Sequence, residues 1–202
     1  MSNNRKTSRR FVRPLWVEGV SAIVPVANDA EQLGRFLTHL TRCAVLEVLV
    51  CDMGSTDESC AIARGSGAHV FRTAGGLSDA FNRAAGHARG SALWFLSPAV
   101  QPPRQAGYRV LDALAVPDVA AGFFPAQSAR LSLTGWCRTG WWNQQAFFFH
   151  RVRLEHAPFV SHAMFARTDG CPEGPRPLAG VLKRIRKERQ VVDLSTPVRV
   201  WF

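Results

Sequence analysis

An α/β fold with a Rossmann-like, mostly parallel sheet and helices on both faces is what this sequence predicts, and three observations carry that prediction. Short β-branched, apolar runs recur at 20–26, 46–51, 68–71 and 92–96. Stretches of helical length separate them. Turn-forming and helix-starting residues follow the runs, and parallel neighbours need such a helical crossover because a two-residue hairpin cannot join them.

The elements follow in order. Residues 20–26 (VSAIVPV) form the first strand, and Asn28 and Asp29 then start a helix whose Leu33, Phe36, Leu37 and Leu40 fall at i, i+3, i+4 and i+7, one face of a helix. Residues 46–51 (LEVLVC) read as a buried strand and 52–57 (DMGSTD) as a turn in which Ser55 or Thr56 caps the next helix, with Gly65 and Gly67 at its end. A strand at 68–71, a break at Gly75-Gly76, a small-residue helix at 78–89 and a strand at 92–96 (ALWFL) continue the pattern. Past Ser97 the reading is a helix over 104–115, a strand over 119–124, a strand over 162–166, a basic amphipathic helix over 178–189 and short terminal strands at 191–194 and 198–201. Residues 131–149 give no clear period. They hold Trp136, Trp141, Trp142, Phe147, Phe148 and Phe149 among Arg138 and Asn143.

The chain has 202 residues, the size of one α/β domain, expected over 18–202 after a basic tail at 1–17. Within it, 18–125 and 126–202 read as two functional halves. A composition 47% apolar and 20% charged argues against disorder, collagen and repeat arrays. No apolar run approaches the ~18 residues of a membrane span, and the basic start lacks a following apolar stretch, so a cytoplasmic protein is expected. Cys43, Cys51, Cys60, Cys137 and Cys171 are odd in number and widely spaced, which implies neither a disulfide framework nor a zinc site.

The net charge of +10 is concentrated in two places. Arg5, Lys6, Arg9, Arg10 and Arg13 oppose only Glu18, and Lys183, Arg184, Arg186, Lys187 and Arg189 oppose only Glu188. Such clusters suit an anionic lipid surface, a phosphorylated ligand or nucleic acid, or else form a solvated tail and a solvated helix face. Nucleic acid is the least favoured partner, because no nucleic-acid-binding module is recognisable.

In a parallel sheet, ligands bind where the carboxyl ends of the strands open into a crevice, so the residues after each strand are the informative ones. Asp52, at a strand end beside Gly54, can hold a ribose hydroxyl or a base edge. The amides around Ser55 and Thr56 suit an anion or a helix cap.

Taken together, Pro25-Val26-Ala27-Asn28-Asp29, Asp52-Met53-Gly54-Ser55-Thr56-Asp57 and Asn82 with nearby Gly86 resemble, in order, the strand-end motifs of family 2 glycosyltransferases of the GT-A fold. A weaker likeness to the acceptor side of short bacterial members runs through Ala163–Arg167, Gly170-Cys171-Pro172-Glu173 and 181–189. The resemblance implies a UDP- or GDP-linked sugar donor, with Asp52 near the nucleoside, Pro25, Val26 and Asn28 lining the same pocket, and Gly54, Ser55, Asn82, Ser97 and Ala99 completing the donor site.

Two departures qualify what the resemblance implies. Ser97-Pro98-Ala99 stands where the family has Asp-Xaa-Asp, and one hydroxyl and a methyl cannot replace carboxylates as ligands of a hard divalent cation. Ala179-Gly180 stands where the family's Glu-Asp pair supplies a base, and neither side chain takes a proton. No cofactor is therefore expected, with Mg²⁺ or Mn²⁺ bound only if Asp52 and the substrate phosphates suffice. Glu155, His156, His162, Asp169 and Glu173 lie in the acceptor half, but none is assigned as a base, and the catalytic residues stay unassigned.

Three readings follow: sugar transfer without a metal, with Arg or Lys of 183–189 offsetting phosphate charge; donor binding without turnover; or an inactive homologue acting as an assembly partner. The aromatic stretch 136–149 fits core packing, a dimer or protein contact, stacking on a sugar or polyprenyl acceptor, or contact with the inner face of a membrane.

Overall fold

The computed structural model describes residues 16–129, 133–149 and 152–200. The first half alternates as the sequence predicts: β1 (Val17–Val26), α1 (Ala30–Leu40), β2 (Glu47–Asp52), α2 (Ser59–Gly65), β3 (His69–Arg72), α3 (Leu77–His87) and β4 (Gly90–Phe95). Then come β5 (Val100–Gln101), α4 (Ala106–Ala115), β6 (Val119–Phe123), β7 (Ala126–Ser128) and α5 (Leu133–Phe149). A 3-10 turn (Leu154–His156), β8 (Phe159–Ser161), α6 (His162–Arg167), α7 (Pro177–Ile185), β9 (Gln190–Asp193) and β10 (Val198–Val200) complete the described chain.

Among the described residues the main sheet has seven strands in the order β3-β2-β1-β4-β8-β6-β9. β3, β2, β1 and β4 run parallel, β8 runs antiparallel to both β4 and β6, and β9 is parallel to β6. The mostly parallel, helix-covered sheet thus matches the expected fold class. The terminal strand expected at 198–201 appears as β10, and it joins a second sheet, β5-β10-β7, that the sequence does not predict, because β5 and β7, of two and three residues, are too short to show a period.

Strand alternation sorts the core into two layers. Ile23, Leu49, Leu93 and Phe95 point to one face, where α3, α6 and α7 pack through Phe81, Phe165 and Leu182. Ala22, Val24, Val50 and Trp94 point to the other, where α1 and α4 pack through Leu33, Leu37, Leu40 and Val110. Each such large apolar side chain contributes about 2 kcal/mol on leaving water. At the amino-terminal end of the sheet, Glu47 ties three strands together: Oε1 accepts from the Ser21 hydroxyl and the Arg89 amide at 2.7 Å each, and Oε2 from Arg89 Nε at 2.9 Å.

Three expectations need correction, and the stretch without a clear period gains an element. Residues 162–166 are not a strand: β8 ends at Ser161, whose hydroxyl accepts from the Met164 amide at 3.3 Å and caps α6. The basic helix stops at Ile185, and residues beyond it turn into β9. The aromatic stretch is helical. β1 begins at Val17, and Trp16 stacks on His162 at 4.4 Å, so the ordered fold reaches into what the sequence assigned to the tail. The rest of that tail, residues 1–15, and the predicted strand end at Trp201 lie outside the described residues.

Candidate functional site

The strand order reverses at β1, with β2 and β3 on one side and β4 on the other, so the carboxyl ends of β1, β2 and β4 border a switch-point crevice. Two loops meet there. Asn28 sits at φ +58°, a left-handed conformation that Asn tolerates better than most residues, and this turns its amide toward the loop after β2. The Asn28 amide donates to Ser55 Oγ (3.1 Å), while Asn28 Oδ1 accepts from the Thr56 amide (2.9 Å). The Asp29 amide donates to Ser59 Oγ (2.9 Å) and the Ala30 amide to Asp57 Oδ2 (3.0 Å).

This network revises two expectations. Ser55 and Thr56 do not cap α2; Ser55 serves the other loop, and Asp57 Oδ1 accepts from the Ser59 amide at 3.0 Å. Nor are the amides at 55 and 56 open to an anion, since Asp52 Oδ1 takes the first at 2.8 Å and Asn28 the second.

Asp52 lies at the carboxyl end of β2 and is 1% exposed. Burial works to raise its pKa, but hydrogen bonds from Ser55 and the Cys60 thiol, with the Arg72 charge, outweigh burial and hold it below the usual carboxylate range. Arg72 Nε stands 3.5 Å from Oδ2, and its side chain is 76% exposed. The ion pair thus joins a buried carboxylate to a guanidinium whose side chain lies mostly in solvent.

The other expected donor residues divide. Pro25 and Val26 are buried, Val26 within the core beneath α1, so they shape the crevice through backbone. Gly54 adopts φ +100°, where a side chain would be strained. Ser97 Oγ accepts from the Ala99 amide at 3.2 Å, closing a tight turn after β4. Asn82 belongs elsewhere: its amide group pairs with both backbone groups of Cys171, at 3.0 and 2.7 Å, and Ser78 donates to the Pro172 carbonyl at 2.7 Å. Asn82 pins the segment before α7.

A cavity of about 530 Å³ opens between α1 and 98–101, lined by Asn28, Asp29, Glu31, Gln32, Arg35, Phe36, His39, Pro98, Val100 and Gln101. Of the expected donor residues only Asn28 lines it; Asp52 does not. The apolar stripe of α1 marks the helix in the sequence, while its polar side, where Asp29, Gln32, Arg35 and His39 recur at helical spacing, faces this cavity.

The acceptor-side positions are closed by packing. A Cβ on Gly180 would meet Pro172 Cγ at 2.5 Å, so a carboxylate side chain there needs the proline ring to shift. The basic cluster sits apart from the crevice: Arg189 pairs with Asp118, and Gln190 bonds the Asp118 carbonyl at the start of β6, the opposite end of the sheet. Arg184 donates to the carbonyls of Thr168 (2.6 Å) and Gly170 (3.4 Å). His156 is fully buried and His162 nearly so, with His162 Nδ1 3.0 Å from the Gly90 carbonyl at the amino-terminal end of β4. Among the described residues no three His, Cys, Asp or Glu side chains gather as a metal site, and the turn at 97–99, its hydroxyl engaged and its third residue a methyl, does not fit a divalent cation.

The family model for glycosyl transferase family 2 matches residues 21–170. No curated protein matches the chain by sequence. Among solved structures, a mannosyltransferase from Pyrobaculum calidifontis in complex with GDP-Man and Mn²⁺ is similar at TM-score 0.68 and 17% identity, over 92% of this chain and 57% of that one. Glucosyl-3-phosphoglycerate synthase from Mycobacterium tuberculosis, with Mn²⁺, UDP-glucose and phosphoglyceric acid, is similar at 0.67 and 15%, over 91% and 70%. S. aureus TarS 1–349 with UDP-GlcNAc is similar at 0.71 and 15%, over 91% and 58%. The chain therefore spans under two thirds of the mannosyltransferase and of TarS 1–349, and at these identities the likeness is one of fold.

Proposed function

The chain belongs to glycosyl transferase family 2, and from that premise we propose that it binds a UDP- or GDP-linked sugar donor over the carboxyl ends of β1, β2 and β4, as one domain that begins at Trp16, in the cytoplasm. The observation that carries this reading is the pair of loops 27–30 and 52–59, held to one another at the switch point by Asn28, Ser55, Asp57 and Ser59. The nucleoside reaches Asp52 Oδ2 when the exposed Arg72 side chain swings aside, and the displaced guanidinium is then placed to offset diphosphate charge, as a planar, permanently charged donor does well. Arg72 replaces the 183–189 cluster in that role, because Arg189 is engaged at the far end of the sheet. Gly54 leaves open space beside the loop after β2, and Asn28 and Pro98 lead into the cavity beside α1, whose volume lies in the range of small-ligand sites.

The same donor site supports transfer without a metal or binding without turnover. The second reading is favoured by one observation: at Gly180 the space a carboxylate base would occupy is held by Pro172.

Calorimetric titration and thermal unfolding with UDP, GDP and their sugars, in EDTA and again with Mn²⁺, test the proposal. One nucleotide class should bind and stabilise the chain in EDTA, and Asp52→Asn, which keeps an oxygen for the Ser55 amide, should weaken binding about tenfold, the value of a charge-assisted hydrogen bond. Absence of binding by every donor in both conditions defeats it. Nucleotide release on adding donor separates the two readings of turnover.

A further inference from the structure

We propose that the cavity between α1 and 98–101 is a saccharide subsite, separate from the donor position, that holds an uncharged oligosaccharide through its hydroxyls. The inference does not depend on the donor site, since Asp52 does not line this cavity and Asn28 is the only expected donor residue that does.

The unpaired polar groups of the cavity define its chemistry. Among the described residues the side chains of Glu31, Arg35 and Gln101 make no hydrogen bond or ion pair, although Glu31 and Arg35 stand at the i, i+4 spacing where such a pair commonly forms. Three further side chains are half engaged. Asn28 uses Oδ1 on the Thr56 amide and keeps Nδ2, and Gln32 uses Nε2 on Asp29 Oδ1 (3.1 Å) and keeps Oε1. His39 places Nε2 on the Pro102 carbonyl (2.6 Å) and keeps Nδ1. The groups left over therefore mix donors, on Asn28, Arg35 and Gln101, with acceptors, on Glu31, Gln32, Gln101 and His39.

That inventory selects the ligand. Both Asp29 oxygens are already taken, by the Ala27 amide (2.9 Å) and by Gln32, and the unpaired charges of Glu31 and Arg35 cancel. An anion would meet Arg35 but lie beside the Asp29 and Glu31 carboxylates, and a cation would face Arg35. A zwitterion would satisfy Glu31 and Arg35 and leave the amides of Asn28, Gln32 and Gln101 idle. A nucleobase needs an aromatic face to stack on, and Phe36, the one phenyl ring in the lining, is 5% exposed. A hydroxyl both donates and accepts, so a row of hydroxyls answers every group left over, while the C–H faces of the sugar lie on the apolar surface of Pro98 and Val100. From Asp29 to His39 the helix advances about 15 Å, longer than one pyranose ring, so an oligosaccharide fits better than a single sugar.

Saturation-transfer NMR and calorimetry of the full chain with trisaccharides of glucose, mannose, galactose and N-acetylglucosamine test this. At least one should bind, equally at low and high NaCl because no net charge is neutralised, and should stay bound when UDP, GDP and their sugars are added. Glu31→Ala with Arg35→Ala, at exposed helical positions that favour alanine, should lower its affinity at least about tenfold. Glu31→Gln with Arg35→Gln, which keeps hydrogen-bonding groups and removes charge, should lower it less. An equal loss in the two variants would mark a zwitterion site and overturn the proposal. So would absence of binding by every trisaccharide, affinity that falls with salt, displacement by inorganic phosphate, or an alanine variant that binds as the parent does. Displacement by a nucleotide sugar would make the cavity part of the donor site and overturn it as well.

Discussion

The carboxyl ends of β1 and β2 and the acceptor-side segment running into α7 are both regions where the family's motifs converge, yet they keep their polar side chains differently. At the first, Asn28, Asp29, Asp52, Ser55, Asp57 and Ser59 each accept a backbone amide, so every one of them holds the loops, and Asn28 and Asp29 also line the cavity. At the second, the space beside Gly180 is held by Pro172, and neither Ala179 nor Gly180 has a side chain that carries a proton. The contrast teaches why one motif persists and the other does not. A residue whose loss leaves loop amides unpaired costs the fold about 0.5–1.5 kcal/mol each, whereas a residue that only moves a proton costs the fold little when it is replaced.

The largest expected effect lies in the acceptor half, where a buried polar group is not protected in this way. Burial pushes His156 down to about 4, and its Nδ1 already accepts from the Arg153 amide at 3.1 Å, so a second proton has no place to go. Its folded-state value lies below the unfolded one, so as pH falls the unfolded chain takes up the proton first. Stability is therefore full above about pH 6.5, declines toward about pH 4 and levels off below, with a total loss of about 3 kcal/mol. His162 is lowered by burial too and slopes the same way, so denaturant unfolding at several pH values should be repeated with His156→Gln, in which most of the slope should vanish. An unchanged slope would move the weak point of the acceptor half elsewhere.

Next in size is Asp52→Ala, which removes the acceptor of the Ser55 amide and the partner of the Cys60 thiol and Arg72. Urea unfolding should show a loss of about 1–2 kcal/mol, most of it from the part-buried Ser55 amide, because the Arg72 pair is largely exposed and worth little. A loss under about 0.5 kcal/mol would break the claim that the donor-side motif is kept for structural reasons. An effect no larger is expected for Gly180→Asp, whose side chain must displace the Pro172 ring. A loss of about 1–2 kcal/mol with no gain in donor hydrolysis would sharpen the contrast; a stable variant that hydrolyses donor would erase it.

Much of this was legible in the sequence, for reasons that particular residues make clear. β1, β2, β4 and α1 announce themselves because a strand buried on both faces must be continuously apolar and a helix on one face must repeat at 3.6, which 20–26 and Leu33, Phe36, Leu37 and Leu40 satisfy. The helix at 162–167 looks like a strand in the sequence because its apolar side chains mimic one and the deciding feature is one serine cap. α5 hid because its buried stripe is made of Gly135, Thr139 and Ala146, small residues that leave no apolar period. In the site, the motifs located the loops, but their partners are tertiary facts. Nothing local says that Asn82 will pair with Cys171, or that Arg72 will cover Asp52.

The smallest structural effect should accompany the most informative chemical one. Ser97 and Ala99 are half-buried at a turn, and an Asp at 97 can accept the Ala99 amide as the serine does. Ser97→Asp with Ala99→Asp should therefore shift stability by less than about 0.5 kcal/mol while placing two carboxylates at the carboxyl end of β4. If the donor-side loops have kept their shape and only the metal-gripping side chains have gone, Mn²⁺ should raise the melting temperature of this variant in the presence of a nucleotide sugar and leave the parent chain unmoved. Absence of any Mn²⁺ effect in a folded variant would mean that the crevice itself has closed, and the loss on this side would then be as deeply built into the packing as the proline-filled space at Gly180.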